Sequence, residues 1–135
     1  MNVRDRSMPS FRKDADALLD ILAELRKNIL SYDLRCAFLG GLRDSSERML
    51  SEMRERPDTD PHKLLAILLL VAAKGTRQDE FTTPKLDALQ GALTVLGSSA
   101  IAPSDIERCR SAMLWAGLLG YGYSGGKRAT VDGKY

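Results

Sequence analysis

From residue 11 to residue 39 the apolar positions return alternately every four and three residues: Phe11, Ala15, Leu18, Leu22, Leu25, Ile29, Tyr32, Cys36 and Leu39. That spacing is the seam of an amphipathic helix. Leu19 and Ile21 widen the stripe, which suits a helical bundle better than a bare two-stranded coiled coil. Asp14, Asp16 and Asp20 stand early in the segment, where the helix dipole favours acids. Ser31 either breaks the helix or is carried through to Leu39. Gly40-Gly41 predicts a break or a sharp kink, because each glycine costs up to about 1 kcal/mol in a helix. A second helix follows from Leu42 to near Arg56. Its apolar side holds Leu42, Met49, Leu50 and Met53, and the row Asp44, Arg48, Glu52, Arg56 marks a solvated face.

Pro57 to Asp60 is a turn, and Asp60-Pro61 opens a third helix with an N-cap followed by a proline that tolerates the first helical position. Its apolar run, Leu64 to Ala73, is buried on most sides, and Gly75 is placed as its C-cap. Residues 76–82 read as a polar loop. Thr83-Pro84 repeats the cap-and-proline start for a fourth helix with Leu86, Leu89, Leu93 and Leu96 on one face, ended by Gly97. After a connector, Ser104-Asp105-Ile106-Glu107 spells a capping box, with Ser104 as cap and Glu107 reaching back. The fifth helix runs to near Leu119 with Ile106, Cys109, Met113 and Ala116 inward and Ala112 and Trp115 beside them. Tyr121 to Val131 contains two short segments around Gly125-Gly126, and Thr130 and Val131 favour strands. A short β-hairpin is expected there, the alternative being a glycine-rich tail. The fold class expected is thus mainly α: about five amphipathic helices in a bundle with a short C-terminal hairpin. Residues 1–9 form an arm, 10–57 an N-terminal helical pair and 58–135 a C-terminal helical unit.

Composition adds limits. The chain of 135 residues is 44% hydrophobic and 28% charged, which is ordinary globular material. A net charge of +2 leaves room only for a local nucleic-acid surface. Cys36 and Cys109 stand alone in helical apolar patterns, so a reducing cytoplasm is the simpler setting. The longest apolar run is shorter than the roughly 20 residues a membrane span requires.

Candidate chemistry is sparse. The one histidine, His62, sits at a helix start and reads as a surface residue. No second histidine exists for a triad and no Cys/His cluster for zinc. Gly125-Gly126-Lys127 lacks the spacing and the hydroxyl of a phosphate-binding loop. The expectation is a protein with no enzymatic activity, no cofactor and no metal.

The order of the C-terminal half carries more information. A helix at 61–74 and a helix at 84–96 lead to the capped helix 104–119, which ends in Trp115-Ala116-Gly117-Leu118-Leu119, and then to the hairpin with Lys127, Arg128 and Lys134. Over residues 61–135 this resembles a winged helix-turn-helix domain. The resemblance implies nucleic-acid binding, with Ser104, Arg108, Arg110 and Ser111 on the last helix and Lys127 and Arg128 at the wing tip holding phosphates or base edges. Asp105 and Glu107 share that helix and repel phosphate, and the connector Gly97 to Pro103 exceeds a tight turn. The alternative is an all-α protein-interaction module, an adaptor or small subunit. A homodimer through residues 11–39 is expected, and its two-fold symmetry suits a DNA binder with two half-sites.

Overall fold

A computed structural model describes residues 9–120. Five α-helices follow one another there: α1 (Pro9–Lys27), α2 (Tyr32–Glu52), α3 (Pro61–Gly75), α4 (Thr83–Leu96) and α5 (Pro103–Trp115). A 3₁₀ turn at Gln78–Glu80 lies between α3 and α4, and no strand occurs among the described residues. The mainly α architecture is therefore as expected. The hairpin expected after Tyr121, with Lys127, Arg128 and Lys134, lies outside the described residues, as does the arm apart from Pro9.

The first two helices part at Ser31 and not at Gly40-Gly41. Ser31 is extended, and its Oγ accepts the Leu34 N–H at 3.2 Å, which caps α2. Asp33 adds an acid to the first turn. The expected break at Gly40-Gly41 is absent because α2 is held on both sides of the pair by the buried Phe38, Leu39, Leu42 and Met49, and tertiary burial overrides a weak local propensity. The two glycines differ in role. A Cβ at Gly41 would stand 3.3 Å from Leu18 Cδ2, so glycine lets α1 lie close on α2, whereas a Cβ at Gly40 would meet nothing within 4 Å.

At the start of α3, Asp60 accepts the amide N–H groups of His62 at 2.8 Å and Lys63 at 3.3 Å, and Pro61 takes the first helical position. Gly75 is the last residue of that helix, and the extended Thr76 follows it, so Gly75 is not the cap expected. The segment 76–82 is not a wholly polar loop either. Phe81 is buried and stacks on Phe38 with ring centroids 5.8 Å apart. Arg35 ties this corner together, its Nε donating to Ile29 O and its Nη1 to Gln78 O, both at 2.6 Å.

Two boundaries of α5 also move. Pro103 occupies the first helical position, so the cap falls on Ala102 and the capping carboxylate is Asp105, which accepts the Ala102 N–H at 3.0 Å. Ser104 and Glu107 do not form the expected box. The helix stops at Trp115 and closes in a Schellman motif: Gly117 has φ +86, its N–H donates to Leu114 O at 3.1 Å, and the Leu118 N–H donates to Met113 O at 2.9 Å. The backbone there needs a glycine. Leu118 and Leu119 turn back into the core.

The helices share one continuous core that takes in Leu22 of α1, Leu42 of α2, Leu69 of α3, Leu93 of α4 and Met113 of α5. α1 packs on α2 and α4; α3 packs on α2, α4 and α5. The ends show that α1 runs antiparallel to both its neighbours. Arg48, late in α2, donates to Asp14, early in α1, at 2.8 Å. Arg26, late in α1, donates to Gln90 of α4 at 2.8 Å and also reaches Asp87. Each fully buried leucine contributes on the order of 1.5–3 kcal/mol.

The glycine pair makes a direct check possible. Gly40→Ala is expected to raise stability by about 0.5–1 kcal/mol, because it removes the helix cost of glycine in open space. Gly41→Ala gains the same propensity but presses on Leu18, so its denaturation midpoint should fall below that of Gly40→Ala. Equal midpoints for the two variants would show that α1 does not sit against Gly41.

Candidate functional site: an apolar groove between α4 and α5

The leucines of α4 point into the core, which leaves a second face of that helix built from small side chains. Ala88, Gly91, Ala92 and Val95 follow one another at helical spacing along it. Cys109 and Ala112 of α5 stand opposite. With so little side-chain volume on either wall, a groove of about 520 Å³ remains between the helices. A Cβ built on Gly91 meets nothing within 4 Å, so the groove is open above that residue.

Charges stand on the rim in pairs. Asp87 accepts from Arg26 of α1, Asp105 from Arg108, and Glu107 from Arg110. The Ala102 N–H first, and then the Arg108 guanidinium, hold the Asp105 carboxyl below the usual carboxylate range. On the floor, burial pushes the Cys109 thiol upward, which makes it a poor nucleophile.

Trp115 is 90% exposed and does not itself line the groove. The sequence pattern places it next to the inner face of α5, but the core face is set by Ile106, Cys109 and Met113. At 100° per residue Trp115 falls on the side shared by Ser104, Arg108 and Ser111. Scattered exposed apolar residues are ordinary on a protein surface. A tryptophan adjoining an apolar groove is a different matter, because its large ring and single N–H suit it to interfaces.

The residues singled out in the sequence separate on this framework. Arg108 and Ser111 line the groove, and Ser104 lies exposed on the same side of α5. Arg110 is half-buried on another side and engages Glu107. Lys127 and Arg128 lie outside the described residues. The groove itself was not visible in the sequence, since its walls come from Ala and Gly positions that any helix tolerates.

His62 is not a surface residue. It is buried, its ring stacks on Phe11 with centroids 4.5 Å apart, and its Nε2 lies 3.4 Å from Ser98 O. The Arg56 guanidinium covers the Phe11 ring at 5.6 Å. Burial lowers the His62 pKa; the Ser98 carbonyl and Asp60 oppose that shift, and Arg56 reinforces it. Burial also pushes the Asp60 carboxyl upward, but hydrogen bonds from Arg56 and the Lys63 and His62 amides outweigh it and leave the group below its ordinary range.

The stripe offered for a homodimer is largely occupied within the chain. Phe11, Ala15, Leu18, Leu22 and Leu25 are all buried in the core. The large apolar side chains that residues 11–39 leave exposed are Leu30 at 82% and Tyr32 at 61%, around the turn between α1 and α2.

Among the described residues, no three His, Cys, Asp or Glu side chains gather as a metal site, and no helix is long and apolar enough to cross a membrane. The groove combines an apolar floor with a rim of paired charges. Compared with protein-family models, curated proteins and solved structures, the chain gives no match.

The buried histidine gives a pH dependence with a definite sign. Its folded pKa lies below the ordinary imidazole value near 6.5, so the unfolded chain binds the proton more tightly. Stability is full above that value and declines as pH falls through it toward the depressed folded value. The denaturation midpoint should therefore drop between about pH 7.5 and pH 5.5, and His62→Phe should flatten that step. Asp60, depressed from a lower starting value, acts only in a more acidic window. A midpoint unchanged across the neutral range in the parent chain would contradict the buried, neutral imidazole.

Proposed function

We propose that this chain is a protein-interaction module that takes an amphipathic helix of a partner protein into the α4–α5 groove. The observation that carries the reading is Trp115, 90% exposed at the side of an apolar groove of about 520 Å³. Helix-in-groove recognition uses large aliphatic anchors at i, i+3/i+4 and i+7 on the incoming helix. The small walls at Ala88, Gly91, Ala92 and Ala112 accept such anchors. Trp115 shares its side of α5 with Arg108 and Ser111 of the lining and is the kind of residue that dominates interface energetics. The paired charges Asp87–Arg26 and Asp105–Arg108 form a polar rim. Reaction chemistry plays no part in this reading.

A second reading, nucleic-acid binding through a winged-helix-like C-terminal half, is favoured by one observation: Ser104, Arg108 and Ser111 share a side of α5. Against it, Arg108 and Arg110 are each engaged by a carboxylate of their own helix. A dimer built on residues 11–39 would rest on Leu30 and Tyr32, which is a small apolar area for a stable interface.

The chain holds one tryptophan, so indole emission reports on the surroundings of Trp115 alone. Titration with amphipathic helical peptides carrying leucine anchors at i, i+4 and i+7 should shift the emission to the blue and saturate. Gly91→Leu puts a side chain into the groove from a position with open space. It should weaken binding at least tenfold while the melting curve stays at or above that of the parent. Peptide binding undisturbed by Gly91→Leu would remove the groove from the account. Duplex DNA that binds with a steep loss of affinity in salt, and that is weakened by Arg108→Ala, would favour the second reading.

A further inference from the structure

The floor of the α4–α5 groove sets the apolar side of an occupant, and the charges around it set what stands beside that side. Asp87, Asp105, Glu107 and Arg108 are the charged side chains among the lining residues. Asp105 and Arg108 engage each other and offset one another within the lining. Asp87 and Glu107 are left as its excess charge, and the arginines that engage them stand outside the groove. Arg26 comes from α1; its Nε donates to Gln90 Oε1 at 2.8 Å, and with Gln90 it borders the neighbouring hollow on the α1 side of α4. Arg110 is absent from the lining, and at 100° per residue it falls about 160° around α5 from Ala112. Each of these two pairs is therefore a dipole with its negative end toward the groove.

The two carboxylates are placed to act on opposite flanks of one helix. Asp87 belongs to the α4 wall and Glu107 to the α5 wall. They also stand toward opposite ends, because α5 runs back along α4: a Cβ at Gly117, just beyond α5, would lie 3.7 Å from Lys85 Cε at the start of α4. From Asp87 to Val95 the lining extends about 12 Å at about 1.5 Å per residue, the length of about two turns of an incoming helix. Arg26 holds Asp87 through Oδ1 and Arg110 holds Glu107 through Oε1, and both acids keep 64% of their side-chain surface exposed. A carboxylate offers about four acceptor positions, so each can accept from a second cation. The same two groups repel a phosphate backbone. The chain as a whole carries a net charge of +2, so an attraction for cations at this place is local and not a property of the whole surface.

We propose that the helix received by the α4–α5 groove is a basic amphipathic one, with about two turns of apolar anchors flanked on both sides by lysine or arginine that Asp87 and Glu107 accept. This rests on the groove being a docking site and names the chemistry of what docks there. Rim pairs of this kind act chiefly on partner choice and on the rate of encounter, and salt screens them.

The test uses the full chain and two labelled helical peptides, read by fluorescence anisotropy. Both carry leucine at i, i+4 and i+7; the positions beside the leucines are lysine in one and glutamate in the other. The lysine peptide should bind about tenfold more tightly at low salt, and the gap should close to about twofold near 0.5 M salt. Asp87→Asn/Glu107→Gln should cut the preference to about threefold or less while the glutamate peptide binds as well as before or better, which shows the groove intact. Asp87→Lys/Glu107→Lys should reverse the preference. Asp44→Asn/Glu55→Gln makes the same change in net charge at exposed acids of α2 and the turn after it, and should leave the preference as it was. If both peptides bind equally and Gly91→Leu weakens both, the docking reading stands and the basic partner is overturned. A lysine preference that survives Asp87→Asn/Glu107→Gln overturns it as well. Failure of both peptides to bind at any salt concentration removes the docking reading and this one with it.

Discussion

The fold depends on how closely α1 can lie in the angle between α2 and α4. Ala15 is fully buried there, a Cβ at Gly41 would stand 3.3 Å from Leu18, and a Cβ at Gly97 would stand 3.4 Å from Ala15. These small residues bring the leucine stripe of α1 into the shared core, where Leu18, Leu22 and Leu25 lose nearly all contact with water. The ends are then fixed by polar contacts that follow from the antiparallel arrangement: Asp14 with Arg48 at one end, and Arg26 with Asp87 and Gln90 at the other. Phe11 closes the first end between the His62 ring and the Arg56 guanidinium.

That seating decides which surfaces remain for function. With the α1 stripe consumed inside the chain, the apolar surface left over among the described residues includes Leu30 and Tyr32 at the α1–α2 turn and the small residues of α4 and α5, on whose side of α5 Trp115 also stands. The same use of small side chains has opposite results in the two places. Between α1 and its neighbours the helices close up on one another. Between α4 and α5, where Leu118 and Leu119 anchor the chain beyond the end of α5, the missing volume stays open as a groove. Packing density in a core is high, so open space of this size at the surface marks where another group can be accommodated.

Much of the fold was legible in the sequence. The heptad-like stripe, the Asp60-Pro61 start and the leucines of α4 each specify a helix and its buried face by local physics alone. Boundaries were less legible because they depend on distant partners. Gly40-Gly41 reads locally as a break, yet burial of Phe38, Leu39, Leu42 and Met49 against other helices keeps α2 whole. His62 reads as exposed at a cap, yet Phe11 and Ser98, far away in sequence, enclose it. Phe81 in a polar stretch is buried by Phe38. The site was the least legible part. Arg108 and Ser111 were found because charged and hydroxyl side chains attract notice, while the groove is made by Ala88, Gly91, Ala92 and Ala112, which carry no chemical signal. A cue was present in Trp115: on the wheel set by Ile106, Cys109 and Met113 it falls outside the core face.

The α1 stripe is spent within a single chain, and amide hydrogen exchange across a wide range of protein concentration tests that directly. If Ala15 to Leu25 belong to the shared core, their amides exchange only through global unfolding, at the same free energy as those of Leu65 to Ala72, and dilution leaves them unchanged. Amides of α1 that exchange through a separate, lower-energy opening and gain protection as concentration rises would contradict it, because α1 would then be finding its partner in another copy.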